Sequence, residues 1–350
     1  MSTHGSAAAP FSVTVAPSGR TFSSSPDETV LVAGIRQGVS LPYGCKDGAC
    51  GSCKCKLLAG QVRHNPYQPK ALSAEDLAAG YVLTCCAVAQ SDLQLESRQV
   101  MEEGAFALKK LPTRVTTLRK LSDDVMLLQL QLPANDVFQY HAGQYIDFLL
   151  RDGSRRSYSM ANAVGAGPML ELHIRHMPGG KFTDQVFGSM QEKEILRIEG
   201  PFGSFYLREK SQQPIILLAS GTGFAPIKAM LENMQQKGLA RPSTLYWGGR
   251  RPGDLYLNDW VQAFAQAHSW LTYVPVLSEA WPEDQWQGRS GFVHRAVLQD
   301  HADLSGYQVY ACGAPVMVDA AKRDFCAEAG LPEEQFFADA FTTQADLAAV

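Results

Sequence analysis

Three cysteines fall together in C-K-D-G-A-C-G-S-C, as Cys45, Cys50 and Cys53, and a fourth, Cys85, stands in a separate L-T-C-C. Sulfurs this close can form disulfides, hold zinc, hold an iron–sulfur cluster, or be neighbours by chance. The N-terminal M-S-T-H-G-S-A-A-A-P lacks a basic start followed by an apolar stretch, so no secretory signal is expected. A cytoplasmic location follows, and stable structural disulfides are rare there. Zinc sites usually draw on two separated pairs of ligands two to four residues apart. The pattern here is C-x4-C-x2-C with a distant cysteine, which is the plant-type 2Fe–2S spacing. Such a core takes four thiolates, two on each iron. Gly48 and Gly51 let the loop turn sharply at low steric cost and let backbone N–H groups reach the sulfurs. Cys85 is the expected fourth ligand, with Cys86 as the alternative. Cys55, and whichever of that pair is left over, read as small inert residues beside the cluster.

Two further sets of residues have phosphate-binding and redox chemistry available to them. In R-R-S-Y-S, Arg156 can pair with a pyrophosphate, Tyr158 can stack on a flat ring and Ser159 can reach a ring nitrogen. Gly179-Gly180, then Lys181 and Thr183 ahead of K-F-T-D-Q-V-F, would offer backbone N–H groups to phosphate at a helix start. Gly221-Thr222-Gly223 follows the apolar run I-I-L-L-A-S and opens a helix, although the usual G-x-G-x-x-G fingerprint is absent. Cys312-Gly313 ends another apolar run. Each set has a plainer reading: Arg156 to Ser159 as an ordinary strand, His173 and His176 as core or surface histidines, Cys312 as a small core residue.

These residues need rigid elements to hold them, and the chain is long enough for several. It has 350 residues, 45% of them hydrophobic and 19% charged, an ordinary globular composition with room for two or three cores. A formal net charge of -4 gives no reason to expect nucleic acid or an anionic membrane as partner. No apolar run approaches the ~20 residues of a membrane span. F-S-V-T-V-A-P-S-G-R-T-F-S-S-S reads as two short strands about a turn. A helix is then expected, capped at Ser25 with Pro26 in its first turn and Glu28 completing a capping box, burying Val30, Leu31, Gly34 and Ile35. Residues 108–208 alternate apolar and polar in short segments with frequent turns, predicting an antiparallel sandwich or barrel. Beyond them, buried strands alternate with helices, predicting a doubly wound parallel sheet with its ligand at the carboxyl ends of the strands.

Two strands, a helix and a cysteine loop resemble the β-grasp ferredoxin fold over residues 10–100. R-x-Y-S, G-G and G-T-G-F-A-P are similar to the flavin and nicotinamide motifs of the ferredoxin–NADP reductase family. The resemblance implies a multi-domain chain: a β-grasp ferredoxin domain at 1–103, an FAD-binding β-barrel at 104–209 and an NAD-binding α/β domain at 210–350. It implies that Arg156 with Lys181 and Thr183 holds the flavin phosphates and that Tyr158 packs on the flavin. Ser159 would lie near N5, the hydride acceptor, and His173, Ile174 and Arg175 would form a second flavin-contacting strand. Gly221, Thr222 and Gly223 would face the pyrophosphate of the nicotinamide coenzyme. Cys312 and Gly313 would sit against its nicotinamide, and Asp339 and Phe341, in a last strand Q-F-F-A-D-A-F, would cover the flavin.

At the end of P-V-L-S-E-A-W stands Glu279, where NADP-binding members of that family carry a basic residue. A carboxylate repels a 2′-phosphate and accepts from ribose hydroxyls, which favours NADH. Arg250, Arg251 and Arg289 are the cations that argue the other way. The order of modules resembles two groups of one-chain reductases, those serving a CDP-6-deoxy-hexulose 3-dehydrase in deoxysugar synthesis and those serving Rieske or di-iron oxygenases and hydroxylases. NADH gives up two electrons as hydride, flavin holds one or two, and a cluster passes single electrons to the partner, which is expected to approach near Gly48 to Ser52. A zinc-binding adaptor and a flavin reductase with a vestigial cluster are the competing classes.

Overall fold

The computed structural model describes residues 9–97, 99, 106–165 and 167–342. Two compact units account for them, and Leu108–Phe341 make up the second. Among the described residues no helix is long and apolar enough to cross a membrane.

In the first unit β1 (Phe11–Ala16) and β2 (Arg20–Ser24) form the expected antiparallel pair. Val13, Val15 and Phe22 point into the core at alternate positions. The following helix, α1 (Val30–Arg36), begins later than its sequence suggests. Thr29 caps it, accepting the Val32 N–H at 3.4 Å, and the Glu28 carboxylate instead closes a separate turn on the Ser25 N–H at 2.9 Å. The Leu31 N–H is bonded to the Thr84 carbonyl at 2.9 Å, so the helical ladder cannot extend back to residue 27. The buried face is Val30, Leu31, Ala33 and Gly34, whereas Ile35 is only half-buried. The unit continues with β3 (Lys54–Ala59), β4 (Val62–His64), α2 (Ala74–Ala78), β5 (Tyr81–Leu83), β6 (Ala87–Ala89) and β7 (Leu93–Glu96). Five strands make a mixed sheet, β2-β1-β7-β3-β5, with β1 parallel to β7, and α1 packs against β2, a β-grasp arrangement.

The second unit opens with β8 (Lys109–Lys120), β9 (Val125–Gln131), β10 (Tyr145–Leu149), β11 (Arg155–Ser159), β12 (Met169–Arg175), α3 (Lys181–Gly188) and β13 (Ile195–Phe202). The strands pair antiparallel in the order β11-β10-β13-β8-β9-β12. A bridge between Met160 and Leu172 joins the two edges, closing the sheet into a barrel. Val115, Leu128, Leu130, Ile146, Leu172 and Ile198 are fully buried within it.

The chain then builds β14 (Ile215–Ser220), α4 (Phe224–Lys237), β15 (Ser243–Gly249), α5 (Asn258–Ala267), β16 (Leu271–Leu277), β17 (Arg289–Ser290), α6 (Val293–Asp300), β18 (Gln308–Gly313), α7 (Pro315–Ala329) and β19 (Phe336–Ala340). All six strands run parallel in the order β17-β16-β15-β14-β18-β19. Helix α4 stops at Gly238, whose φ of +65° supplies the left-handed cap. Strand order reverses at β14, which lies between β15 and β18, so a crevice opens between the ends of β14 and β18. The terminal T-T-Q-A-D-L-A-A-V lies outside the described residues from position 343 onward.

Candidate functional site

The cysteine loop is shaped by the segment lying against it. Gly48 and Gly51 have φ of +77° and +76°, and a Cβ at Gly48 would lie 2.7 Å from both the Cys86 Sγ and the Tyr67 Cβ. At Gly51 it would meet the Ala71 carbonyl at 3.1 Å. Only glycine meets both the dihedral and the space requirement at position 48. The Gln68 N–H donates to the Gly48 carbonyl at 3.0 Å, and the Thr84 N–H to the Cys53 carbonyl at 3.2 Å. Lys54 pairs with Asp76 at 2.6 Å, and Asp76 completes a capping box with Ser73, which fixes α2 beside the loop.

Within this frame the sulfurs form two pairs. Cys53 Sγ is 3.2 Å from Cys85 Sγ, while the N–H groups of Cys45 and Cys50 each donate to the other's sulfur at 3.3 Å. Hydrogen bonding to Cys50 and Cys85 drives the Cys45 thiol far down, and contacts with Cys45, Cys53 and Cys86 push the Cys85 thiol up. Thiols gathered this closely suit a metal cluster, which takes its cysteine ligands as thiolates. Cys86 Sγ lies 3.7 Å from Cys85 Sγ and also 3.6 Å from the Pro66 carbonyl, at the margin of the group. Burial pushes the Cys55 thiol up to about 12, in keeping with an inert core residue.

In the barrel, β11 and β12 supply the residues expected around a flavin. Tyr158 is half-buried, with its ring 5.4 Å from that of Phe182. Arg156 donates to the Arg155 carbonyl at 2.7 Å. Gly179 and Gly180 lead into α3, whose first turn has no side-chain cap; the Gly179 N–H donates to Asp184 Oδ2 at 3.1 Å and the Gly180 N–H to the Met177 carbonyl at 2.8 Å. Lys181 is paired with Asp152 at 2.6 Å. The buried Thr183 hydroxyl closes the glycine turn, donating to the Met177 carbonyl at 2.9 Å, so its contribution is to turn shape. Arg175 also faces protein groups, Asp124 and Asp254, each at 3.1 Å, which leaves the backbone of β12 for any ring contact. Ile174 is fully buried in the barrel. An uncapped helix start, an arginine on the adjacent strand and an aromatic ring are the donor set a flavin nucleotide needs.

At the switch point the G-T-G turn lies directly on the end of β18. A Cβ at Gly223 would run into the Cys312 carbonyl, and one at Gly313 would run into Ser220. Gly221 (φ +51°) lies against the Arg175 guanidinium and accepts from the Trp247 indole N–H at 3.0 Å. Thr222 occupies the short turn between the two glycines, and the first turn of α4 carries no side-chain cap. Close backbone approach at a helix start suits a pyrophosphate. Cys312 is fully buried and pairs in register with Asp339 on β19. Burial, with the nearby Asp339 charge, pushes the Cys312 thiol well up, so it remains neutral. The Ser159 hydroxyl donates to Asp339 Oδ2 at 3.4 Å across 180 residues of sequence, and the Phe341 N–H donates to the Gly313 carbonyl at 2.8 Å. Ser159, Cys312, Gly313, Asp339 and Phe341 thus converge.

Toward the other edge of the sheet the cations are all engaged. Arg251 binds both oxygens of Asp284, Arg289 binds both oxygens of Asp300, and Arg250 meets Asp254 at 3.3 Å. Glu279 is exposed after β16, its N–H donating to the Arg250 carbonyl at 3.0 Å.

The sequence signals do not reveal a buried polar network between β12 and α4. Lys228 Nζ meets Glu232 at 2.6 Å, Glu171 at 3.1 Å and the Ala161 carbonyl at 3.1 Å. The His173 side chain is fully buried, 3.1 Å from Glu171 through Nε2 and 2.9 Å from the Tyr256 hydroxyl through Nδ1. Burial would raise the Glu171 carboxyl, but the His173 hydrogen bond and the Lys228 charge outweigh it and hold it at about 2. Burial lowers His173, whose neutral ring donates to Glu171 and accepts from Tyr256. The Lys228–Glu232 spacing of four residues is the one trace of this network in the sequence.

Comparison with known proteins agrees with this arrangement. Residues 13–90 match the 2Fe-2S iron-sulfur cluster binding domain, 112–206 the oxidoreductase FAD-binding domain and 217–323 the oxidoreductase NAD-binding domain. The chain is 42% identical to the CDP-6-deoxy-L-threo-D-glycero-4-hexulose-3-dehydrase reductase of Yersinia pestis, over 93% of this chain and 96% of that one. It is 33% identical to reductase component 1 of the Comamonas terephthalate 1,2-dioxygenase, over 92% and 94% respectively. The crystal structure of the Amycolatopsis cytochrome P450 reductase GcoB superposes with a TM-score of 0.78 at 31% identity, covering 95% of this chain and 99% of that one.

Proposed function

We propose that this chain, which belongs to the family of one-chain iron–sulfur flavoprotein reductases, takes electrons from NADH and delivers them singly to a dehydrase acting on a CDP-6-deoxy-hexulose. The chain is an electron-transfer oxidoreductase with 2Fe–2S, FAD and NAD domains. When bound, FAD and the cluster supply the conversion of a two-electron donor into one-electron steps. The remaining roles fall to side chains and backbone. Cys45, Cys50, Cys53 and Cys85 hold the cluster; the gathering of these four sulfurs is the observation that carries the reading. Arg156 and the start of α3 (Gly179, Gly180, Lys181) hold the FAD phosphates, with Thr183 shaping that turn and His173, Ile174 and Arg175 forming the adjoining strand. Tyr158 packs beside the flavin ring. Ser159 directs its hydroxyl at the reacting edge with Asp339 as its acceptor, while neutral Cys312 and Gly313 shape the nicotinamide pocket and Phe341 covers it. Gly221, Thr222 and Gly223 receive the coenzyme pyrophosphate, and Glu279 receives its ribose. Domain boundaries at 103/104 and 209/210 accompany this reading, as does a cytoplasmic location, where the free cysteines stay reduced.

Similarity that runs through nearly the whole chain supports the sugar dehydrase as acceptor. The weaker but equally long match to a dioxygenase reductase supports a second reading, a Rieske or di-iron oxygenase. Reconstitution distinguishes them. Holoenzyme, NADH, a CDP-6-deoxy-hexulose 3-dehydrase and its sugar nucleotide should give 3-deoxygenated product coupled to NADH loss. Absence of product, with an oxygenase component reduced under the same conditions, would overturn the dehydrase assignment.

A further inference from the structure

We infer that Asp284 is a coenzyme-specificity residue, which holds the Arg251 guanidinium where it cannot neutralise a 2′-phosphate. The inference deepens the NADH reading above and rests on it. Arg251 stands two residues beyond β15, the strand next to the one that carries the G-T-G turn. In doubly wound sheets the groups that distinguish a ribose 2′-hydroxyl from a 2′-phosphate lie at the ends of such neighbouring strands, and an arginine there accommodates the phosphate. Here that arginine is immobilised in two directions. Its Nε and Nη2 each lie 2.6 Å from a different oxygen of Asp284, a fork-to-fork pairing. Its Cζ lies 3.5 Å from the centre of the Trp281 ring, so the indole covers one face of the guanidinium. Asp284 is itself aimed by the short turn Pro282–Asp284, where Oδ2 accepts the Trp281 N–H at 2.9 Å.

The other two cations in reach are held differently. Asp254, the partner of Arg250, also pairs with Arg175 and accepts the Arg250 backbone N–H at 2.8 Å, so its loss would dismantle the loop. Asp300, the partner of Arg289, also accepts from the Tyr246 hydroxyl at 2.8 Å. Asp284 holds Arg251 and the backbone of its own turn, so replacing it frees a cation at the edge of the coenzyme crevice while leaving the packed sheet in place. With Asp284 charged, a 2′-phosphate would meet Glu279 and Asp284 with no released guanidinium to offset them. A 2′-hydroxyl meets no such penalty.

The test uses holoenzyme with cluster and FAD, and ferricyanide as acceptor, to obtain kcat/KM for NADH and for NADPH. Wild type should prefer NADH. Asp284→Ala should raise the NADPH/NADH ratio by about tenfold or more, the effect of one freed charge-assisted contact. Adding Arg251→Ala to it should abolish the gain. A ratio unchanged in Asp284→Ala, or a gain that survives the loss of Arg251, overturns the inference while leaving the NADH reading intact. A wild-type preference for NADPH overturns both. If Asp284→Ala loses FAD or unfolds, Asp284→Asn carries the test through inhibition by 2′,5′-ADP relative to 5′-ADP. Selective tightening of the 2′-phosphate compound supports the inference, and unchanged inhibition overturns it.

Discussion

Cys45, Cys50 and Cys53 reach one another along a single loop, whereas Ser159, Cys312 and Asp339 meet from three separate strands. In the first region the loop needs two left-handed glycines and a supporting segment at residues 67–71, and its ligand geometry is set mainly by local backbone. In the second, the site exists only if β11 of the barrel and β18 and β19 of the parallel sheet keep their register. A slip of one residue would turn each of these side chains to the opposite face. The comparison shows why one region advertises its chemistry in a short pattern and the other in scattered residues.

The sharpest way to break this comparison is to disable one region and look for damage in the other. Cys50→Ser should abolish the cluster's visible absorption and acid-labile sulfide, and reduction of a one-electron protein acceptor should fall to baseline. NADH–ferricyanide turnover through the flavin should persist; its collapse would show that the two regions are not independent. Next in size is Arg156→Ala, which removes the charged hydrogen-bonding group proposed for the FAD phosphates. Equilibrium titration with FAD should show binding weakened between about tenfold and a hundredfold, and unchanged retention of FAD would remove Arg156 from the phosphate site. Ser159→Ala removes a single hydroxyl contact, so stopped-flow flavin reduction by NADH should slow roughly tenfold with FAD content intact. A rate equal to wild type would leave the Ser159–Asp339 contact structural only.

The smallest effect is one of stability, read without turnover. The Glu171 carboxyl lies below its ordinary 4.5, at about 2, so its stabilising contribution is complete above pH 4.5 and is lost as pH falls toward 2. His173 is lowered from 6.5 by burial, so its protonation subtracts stability in the same direction as pH falls below that value. Glu171→Gln should therefore cost about 2–3 kcal/mol at neutral pH and flatten the acid side of the Tm–pH curve. Lys228 and Gln129 face the same carboxylate and Glu232 shares Lys228 with it, so an unchanged curve would mean that these groups hold the network without its charge.

Much of the architecture was legible because it is written in local terms. The strands at 145–149, 169–175 and 215–220 announce themselves by alternation or continuous apolar runs, and α4 by its turn and glycine stop. The start of α1 was not legible, because Ser25, Pro26 and Glu28 form a persuasive local cap and the deciding bond comes from Thr84, far along the chain. Lys181, Thr183 and Arg175 were expected in a flavin-binding segment from the family resemblance. Their side-chain partners, Asp152, the Met177 carbonyl, Asp124 and Asp254, were not. Asp284 left no signal at all, since nothing in W-P-E-D-Q-W marks it as the partner of an arginine on another strand.

What the sequence determined by itself was the inventory of chemistry: a cysteine loop of cluster spacing, a flavin-type strand motif, a glycine turn opening a helix, and the elements carrying each. The cysteine spacing, the glycine turn and the elements follow from turn sterics, periodicity and ligand number, which act over a few residues, and the flavin-type motif from its resemblance to the reductase family. The tertiary structure alone decided that Cys53 and Cys85 bring their sulfurs together, that Ser159 meets Asp339, that His173 is enclosed with Glu171 and Tyr256, and that Arg251 is held by Asp284. Each of those is a contact between segments distant in sequence, and its existence depends on strand register and packing that no local pattern encodes.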